Sequence, residues 1–261
     1  MSATGDTRRL LAVNLKDYLG AAATADWLGE VARRLPDAGV REEVELAVLP
    51  SFPLLERARR QLEGVGVEVG AQDVSAAPAG PHTGEVPAAM LAELGCRYVA
   101  VGHAERRVEF GESDAVVAAK VAAAVAHDLV PIVCVGEPDR RDADAAAATV
   151  IGQTLAALAE VSVAEVVVAY EPVWAIGAAE PAAAEHVLAV GAALREELDP
   201  TPHEARLIYG GSAGPGTLAP LSAGYDGLFL GRRAHRVEGL LEVLREALEL
   251  RPPVHGGGGT R

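Results

Sequence analysis

The sequence predicts a single α/β domain, a closed (β/α)8 barrel over residues 1–250, and three observations carry that prediction. Eight short apolar runs alternate with stretches of helical spacing, and strand–helix alternation of this kind builds a parallel sheet. No break in composition divides the 261 residues, so the eight units belong to one body. Polar and glycine residues stop the strands at their carboxyl ends, which share one face in such a barrel. An open, doubly wound sheet is the alternative, but its glycine-rich first turn is missing.

The first strand, Leu10-Leu11-Ala12-Val13, runs into Asn14-Leu15-Lys16. Residues 24–35 place Trp27, Leu28, Val31 and Leu35 on one helical side. The second strand, 45–49, stops at Pro50; a helix over 53–62 and a third strand over 68–71 follow. A polar, proline-rich loop spans 72–85, and the helix over 87–94 opens on a proline, which suits a first helical position. The fourth strand, 98–101, ends at Gly102-His103. A helix over 116–126 leads to the fifth strand, 130–135, which ends at Gly136-Glu137. An alanine-rich helix over 143–159 precedes the sixth strand, 166–170. A helix over 181–198 precedes the seventh, 206–209, which ends in Gly210-Gly211-Ser212. A short helix over 215–221, an eighth strand over 227–230 ending at Gly231-Arg232, and a helix over 237–250 close the fold. Residues 251–261, with four consecutive glycines, are expected to be a disordered tail.

Hydrophobic residues make up 50% of the chain and aromatics only 4%, so the core is expected to be aliphatic and tightly filled. The formal charge of -14 argues against nucleic acid or an anionic membrane as partner, and an anionic substrate would need a local positive site. Two cysteines, Cys96 and Cys134, give no disulfide framework. The chain shows neither a signal-peptide pattern nor an apolar stretch of the roughly 20 residues a membrane helix needs, so a cytoplasmic location is expected. No metal or cofactor is implied, because the seven histidines make no spacing that would build a zinc site.

The most informative stretch is Val166 to Gly177. A run of β-branched residues ends at Glu171, and Pro172 cannot continue a sheet ladder, which puts the carboxylate at the strand's last position. A glutamate leaving an apolar strand and followed by Val173-Trp174 can be held out of bulk water. Burial of that kind raises a carboxyl pKa toward the range useful to a base that takes a proton from carbon. The turn Pro172-Val173-Trp174-Ala175-Ile176-Gly177 is apolar, stiff at its start and loose at its glycine, as a hinged lid would be. Asn14, Lys16, His103, Glu171, the Gly210-Gly211-Ser212 turn and the Gly231-Arg232 turn all fall at strand ends and converge on one face.

The runs Gly70-Ala71-Gln72-Asp73, Thr83-Gly84-Glu85, Val101 to Arg107, Phe110 to Asp114, Ala169 to Gly177 and Tyr209 to Ser212 resemble the triosephosphate isomerase family, whose fold gave the TIM barrel its name. That family is also a standard illustration of tuned acid–base groups and lid closure. The resemblance implies Glu171 as the base that moves a proton between adjacent carbons, His103 as a neutral imidazole polarising the carbonyl, and Lys16 as the cation that steadies the enediolate. It implies Asn14 as a donor to substrate, with Gly177, Ser212, Gly211, Gly231 and Arg232 around the phosphate. It further implies that Glu105 pairs with Lys16, that Glu112 is a buried structural carboxylate, and that the 72–85 loop, through Thr83, reaches into a partner subunit to make a homodimer. Cys134 reads as packing beneath the glutamate.

Four departures from the family pattern stand out. The first motif reads Asn14-Leu15-Lys16-Asp17-Tyr18 where Asn-Trp-Lys-Met-Asn is usual, and the lid reads Ile176-Gly177-Ala178-Ala179 in place of Ile-Gly-Thr-Gly. Ala104 stands for a serine, and Arg232 for the second of two adjacent glycines. The run around Arg232 is similar to that of the family's paralogues that act on erythrulose phosphates, so a four-carbon sugar phosphate is the alternative substrate to a triose phosphate. A barrel that binds a sugar phosphate without turnover is a further alternative. A Schiff-base lyase fits poorly, because the lysines are only Lys16 and Lys120.

Overall fold

The computed structural model describes residues 8–35, 43–162, 165–178, 181–199 and 204–250. The expected tail at 251–261 and the lid residue Ala179 lie outside the described residues. Eight parallel strands close on themselves in chain order: β1 (Arg9–Asn14), β2 (Val44–Leu49), β3 (Val67–Ala71), β4 (Tyr98–Val101), β5 (Val130–Val135), β6 (Glu165–Tyr170), β7 (Glu204–Tyr209) and β8 (Gly227–Leu230). Closure comes from β8 pairing back onto β1, with Leu10 opposite Gly227. The backbones touch there: a Cβ on Gly227 would lie 1.7 Å from the Leu10 carbonyl oxygen, so no other residue fits.

Strand side chains alternate between two cores, as the period of two requires. Leu10, Ala12, Ala47, Leu49, Tyr98, Ala100, Ile132, Cys134, Val167, Ala169, Ile208 and Phe229 fill the barrel interior. Their neighbours Leu11, Val13, Leu46, Val48, Val99, Val133, Val166 and Val168 pack outward against helices. Continuing the inward parity to the carboxyl ends delivers Asn14, the last residue of β1, and, one step past their strands, Glu171 from β6, Gly210 from β7 and Gly231 from β8 to the mouth. The same parity, run backward, delivers Glu45, Glu165 and Arg206 to the floor. There the Arg206 Nη1 donates to Glu45 (2.6 Å), and its Nη2 bonds the Tyr98 hydroxyl (2.5 Å) and Glu165.

The helices are α1 (Ala21–Arg34), α2 (Leu55–Leu62), α3 (Ala88–Glu93), α4 (Ala104–Phe110), α5 (Asp114–Val125), α6 (Ala143–Leu158), α7 (Ala184–Leu198), α8 (Leu218–Leu221) and α9 (Val237–Glu249). Several differ from the sequence expectation. Helix α1 begins at Ala21 and not at 24, and α4 is not among the expected helices. The helix expected from 181 starts at Ala184, because the Ala182 amide donates to the Tyr209 hydroxyl (3.0 Å) and holds the chain extended. The one expected from 215 starts at Leu218, behind Gly216 at φ +79°. The one expected from 53 begins as a 3-10 turn over Phe52–Leu54. Lys120 of α5 is buried against Asp73 (2.7 Å) and Glu112 (2.6 Å), and Arg106 joins both carboxylates. This cluster ties the root of the 72–85 loop to α4 and α5, and Glu112 is the buried carboxylate expected there.

Candidate active site

A cavity of about 560 Å³ opens at the carboxyl ends of the strands, lined by Asn14, Lys16, His103, Glu171, Gly177, Ser212, Gly231 and Arg232 among others. Eight of the nine residues singled out from sequence therefore meet around one space. Gly211 does not line it: its carbonyl accepts the Tyr209 hydroxyl (2.7 Å), and a Cβ there would come within 2.4 Å of that oxygen.

Glu171 leaves β6 with its amide bonded to the Val135 carbonyl (2.8 Å), and it is only 6% exposed. Two glycines make room for it. A Cβ on Gly136 would lie 2.0 Å from the Glu171 carbonyl oxygen, and one on Gly210 would lie 2.6 Å from its Cγ. Burial raises the carboxyl pKa above the ordinary glutamate value, while nearby His103 and Lys16 and a contact with Cys134 pull against it. Its Oε2 lies 3.5 Å from His103 Nε2 and has no hydrogen-bond partner among the described residues. Cys134 lies inward on β5, and burial pushes its thiol pKa well up, so it offers packing and not a thiolate.

His103 is the N-cap of α4, and its Nδ1 accepts the Glu105 amide hydrogen (3.2 Å). A ring nitrogen that accepts carries no proton, so this bond selects the neutral tautomer with its hydrogen on Nε2, toward Glu171. Lys16 sits at φ +47°, a left-handed backbone that a lysine adopts only under constraint. Three bonds supply the constraint. Asn14 Oδ1 accepts the Lys16 amide (2.9 Å), and the Lys16 carbonyl accepts from Gln72 Nε2 (3.1 Å) and Ser51 Oγ (3.2 Å). The ammonium then meets Glu105 Oε1 at 2.5 Å, the pairing the resemblance implied.

The lid begins with a 3-10 turn over Val173–Ala175. Trp174 Nε1 donates to Glu137 (2.7 Å), which also accepts the Tyr170 hydroxyl (3.2 Å) and is wholly buried. The Ser212 hydroxyl reaches the carbonyls of Ala175 (2.8 Å) and Ala178 (3.2 Å). Sequence reasoning saw Glu137 and Tyr209 as strand-end residues and gave them no part in holding the lid. It also left out Tyr18, which lines the cavity; its place two residues after Lys16 is the signal that pointed to it.

The sequence model of the triosephosphate isomerase family matches residues 9–247. An L-erythrulose-1-phosphate isomerase from Pectobacterium atrosepticum is 44% identical over 92% of this chain and 96% of that protein. A triosephosphate isomerase from Thermus thermophilus is 40% identical over 92% of this chain and 99% of that protein. Among solved structures, the triosephosphate isomerase of Bartonella henselae superposes with a TM-score of 0.78 at 30% identity, covering 91% of this chain and 98% of that one.

Proposed function

Because the chain belongs to the triosephosphate isomerase family and is an isomerase of that family, we propose that it shifts a carbonyl between adjacent carbons of a small ketose phosphate, with Glu171 as the base. The observation that carries the assignment is a buried carboxylate oxygen facing a neutral imidazole nitrogen at 3.5 Å across the mouth of the barrel. Glu171 takes the proton from the hydroxyl-bearing carbon beside the carbonyl, and its raised pKa brings it nearer the basicity this needs. His103 Nε2–H donates to the carbonyl oxygen as negative charge gathers there, and the Lys16 ammonium stabilises the enediolate. The hydroxyl proton passes to the former carbonyl oxygen by way of His103, the proton on Glu171 returns to the former carbonyl carbon, and the carbonyl re-forms on the carbon that first gave up its proton. Asn14 donates to substrate oxygens, and Gly177, Ser212, Gly231 and Arg232 surround the phosphate.

Dihydroxyacetone phosphate and erythrulose 1-phosphate present this site with the same phosphate, methylene, carbonyl and hydroxyl-bearing carbon. They differ where the latter carries a second hydrogen or a hydroxymethyl group. The triose reading gives glyceraldehyde 3-phosphate, an aldose. The four-carbon reading gives another ketose, and it draws support from Arg232 in place of glycine and from the 44% identical relative. Side-by-side kcat/KM on dihydroxyacetone phosphate and both erythrulose phosphates decides between them. Silence on all three would leave a sugar-phosphate-binding barrel without turnover.

We also propose a cytoplasmic homodimer joined through the 72–85 loop. A second lobe of about 530 Å³ adjoins the active site and is lined by Tyr18, Phe52, Gln72 and Phe110. Tyr18 and Phe110, which line it, are 57% and 64% exposed. Among the described residues, no helix is long and apolar enough to cross a membrane.

A further inference from the structure

A phosphate has to enter this protein against a formal charge of -14, and the ammonium nearest the base is already committed. Lys16 is joined to Glu105 at 2.5 Å, and the cavity is also lined by the Glu171 carboxylate. Arg232 stands apart. It rises from the 3-10 turn over Arg232–Ala234 that follows β8, and no carboxylate pairs with it among the described residues. Its Nη2 instead donates to the Gly177 carbonyl at 3.2 Å, and its Cζ lies 5.9 Å from the centre of the Tyr18 ring. One guanidinium thus joins three strand ends, from β8 to the lid after β6 and to the turn after β1.

Resting on the function proposed above, we propose that Arg232 supplies the charge that binds the phosphate, exchanging the Gly177 carbonyl for phosphate oxygens when substrate arrives. A carbonyl is a neutral acceptor. A phosphate is a charged one, and a charge-assisted bond to it is shorter and roughly twice as strong. The planar fork of the guanidinium can meet two oxygens at once, and the Tyr18 face holds it in place meanwhile. Position of the lid and charge of the ligand are then coupled through one side chain.

The test measures inorganic phosphate binding by Trp174 fluorescence or calorimetry, beside KM for whichever sugar phosphate turns over, in Arg232→Met and Arg232→Lys. In Arg232→Met the phosphate Kd is expected to rise about 10- to 100-fold, with KM rising in step and with a weaker dependence on salt. Arg232→Lys should recover part of the loss, because an ammonium keeps the charge without the fork. An unchanged phosphate Kd in Arg232→Met overturns the proposal, as does a wild-type protein that binds no phosphate. If no sugar phosphate is turned over yet Arg232→Met loses phosphate binding, this inference stands and the isomerase reading falls.

Discussion

At the floor of the barrel, Arg206 joins Glu45, Tyr98 and Glu165, and Arg97 adds further pairs to Glu45 (3.3 Å) and Glu165 (2.9 Å). At the mouth, Glu171 is just as deeply buried, but its Oε2 faces an imidazole at 3.5 Å with no hydrogen bond. Both ends are built by the same inward parity, and β6 and β7 contribute to each. Burial works against the Arg206 charge, yet the neighbouring phenol and carboxylates outweigh it and raise its pKa. Burial works against the Glu171 charge too, and there His103 and Lys16 do not outweigh it. A buried ion with its partners in place fixes the fold, and one left short of partners is ready to take a proton.

The largest effect that would break this contrast is loss of the base. Glu171→Gln is expected to lower kcat by about 10²- to 10⁴-fold on the active sugar phosphate, and a smaller drop would remove Glu171 from the proton transfer. The same variant should melt higher than the parent at pH 8. Burial lifts the folded-state pKa of Glu171 above its unfolded value, so the native protein holds that proton more tightly than the unfolded chain. The stability gained from it is present in acid and is lost as pH rises through the folded-state pKa. Glutamine carries no such penalty. The difference in Tm between variant and parent should therefore shrink as pH falls toward the ordinary carboxylate range, and a constant difference would contradict the raised pKa.

At the floor the order of effects reverses. Arg206→Met leaves Glu45 and Glu165 buried with only part of their counter-charge, and removing one member of a buried set costs about 3–5 kcal/mol. Urea unfolding should show that loss, while kcat in buffer, well below the new midpoint, should stay within a few-fold of the parent. A large fall in kcat with normal stability would mean that the two ends are not independent.

Much of this contrast was legible in the sequence, and the part that was not has a physical reason. Strands 98–101, 130–135 and 227–230 match the structure residue for residue, since each is a short β-branched or apolar run that stops at glycine. The convergence of Asn14, His103 and Glu171 followed from their shared strand-end positions. The start of α7 was missed because a phenol 27 positions away restrains Ala182, and local propensity contains no trace of that bond. Glu137 looked like any glutamate after a strand, and its burial beneath Trp174 and Tyr170 depends on how the ends of β5 and β6 are juxtaposed. Arg232 was visible as a departure, but its bond to the Gly177 carbonyl was not.

The smallest expected effect sharpens the contrast most finely. Behind Glu171 lies a void of about 20 Å³ lined by Gly102, Ala104, Arg107, Cys134, Val135, Gly136, Glu171 and Val173. Arg107 Nη2 is buried beside it with no partner among the described residues. A serine at 104 fits a hydroxyl into this space. A hydroxyl that donates to the Glu171 carboxylate favours its charged form and lowers its pKa, moving the mouth a step toward the well-partnered floor. In Ala104→Ser, kcat should change by less than about ten-fold, in keeping with a net hydrogen-bond contribution of about 1 kcal/mol. The acid limb of the kcat/KM profile should shift to lower pH at the same time. If that limb stays in place while Tm rises, the hydroxyl has bonded Arg107 and not the base, and the void belongs to packing alone.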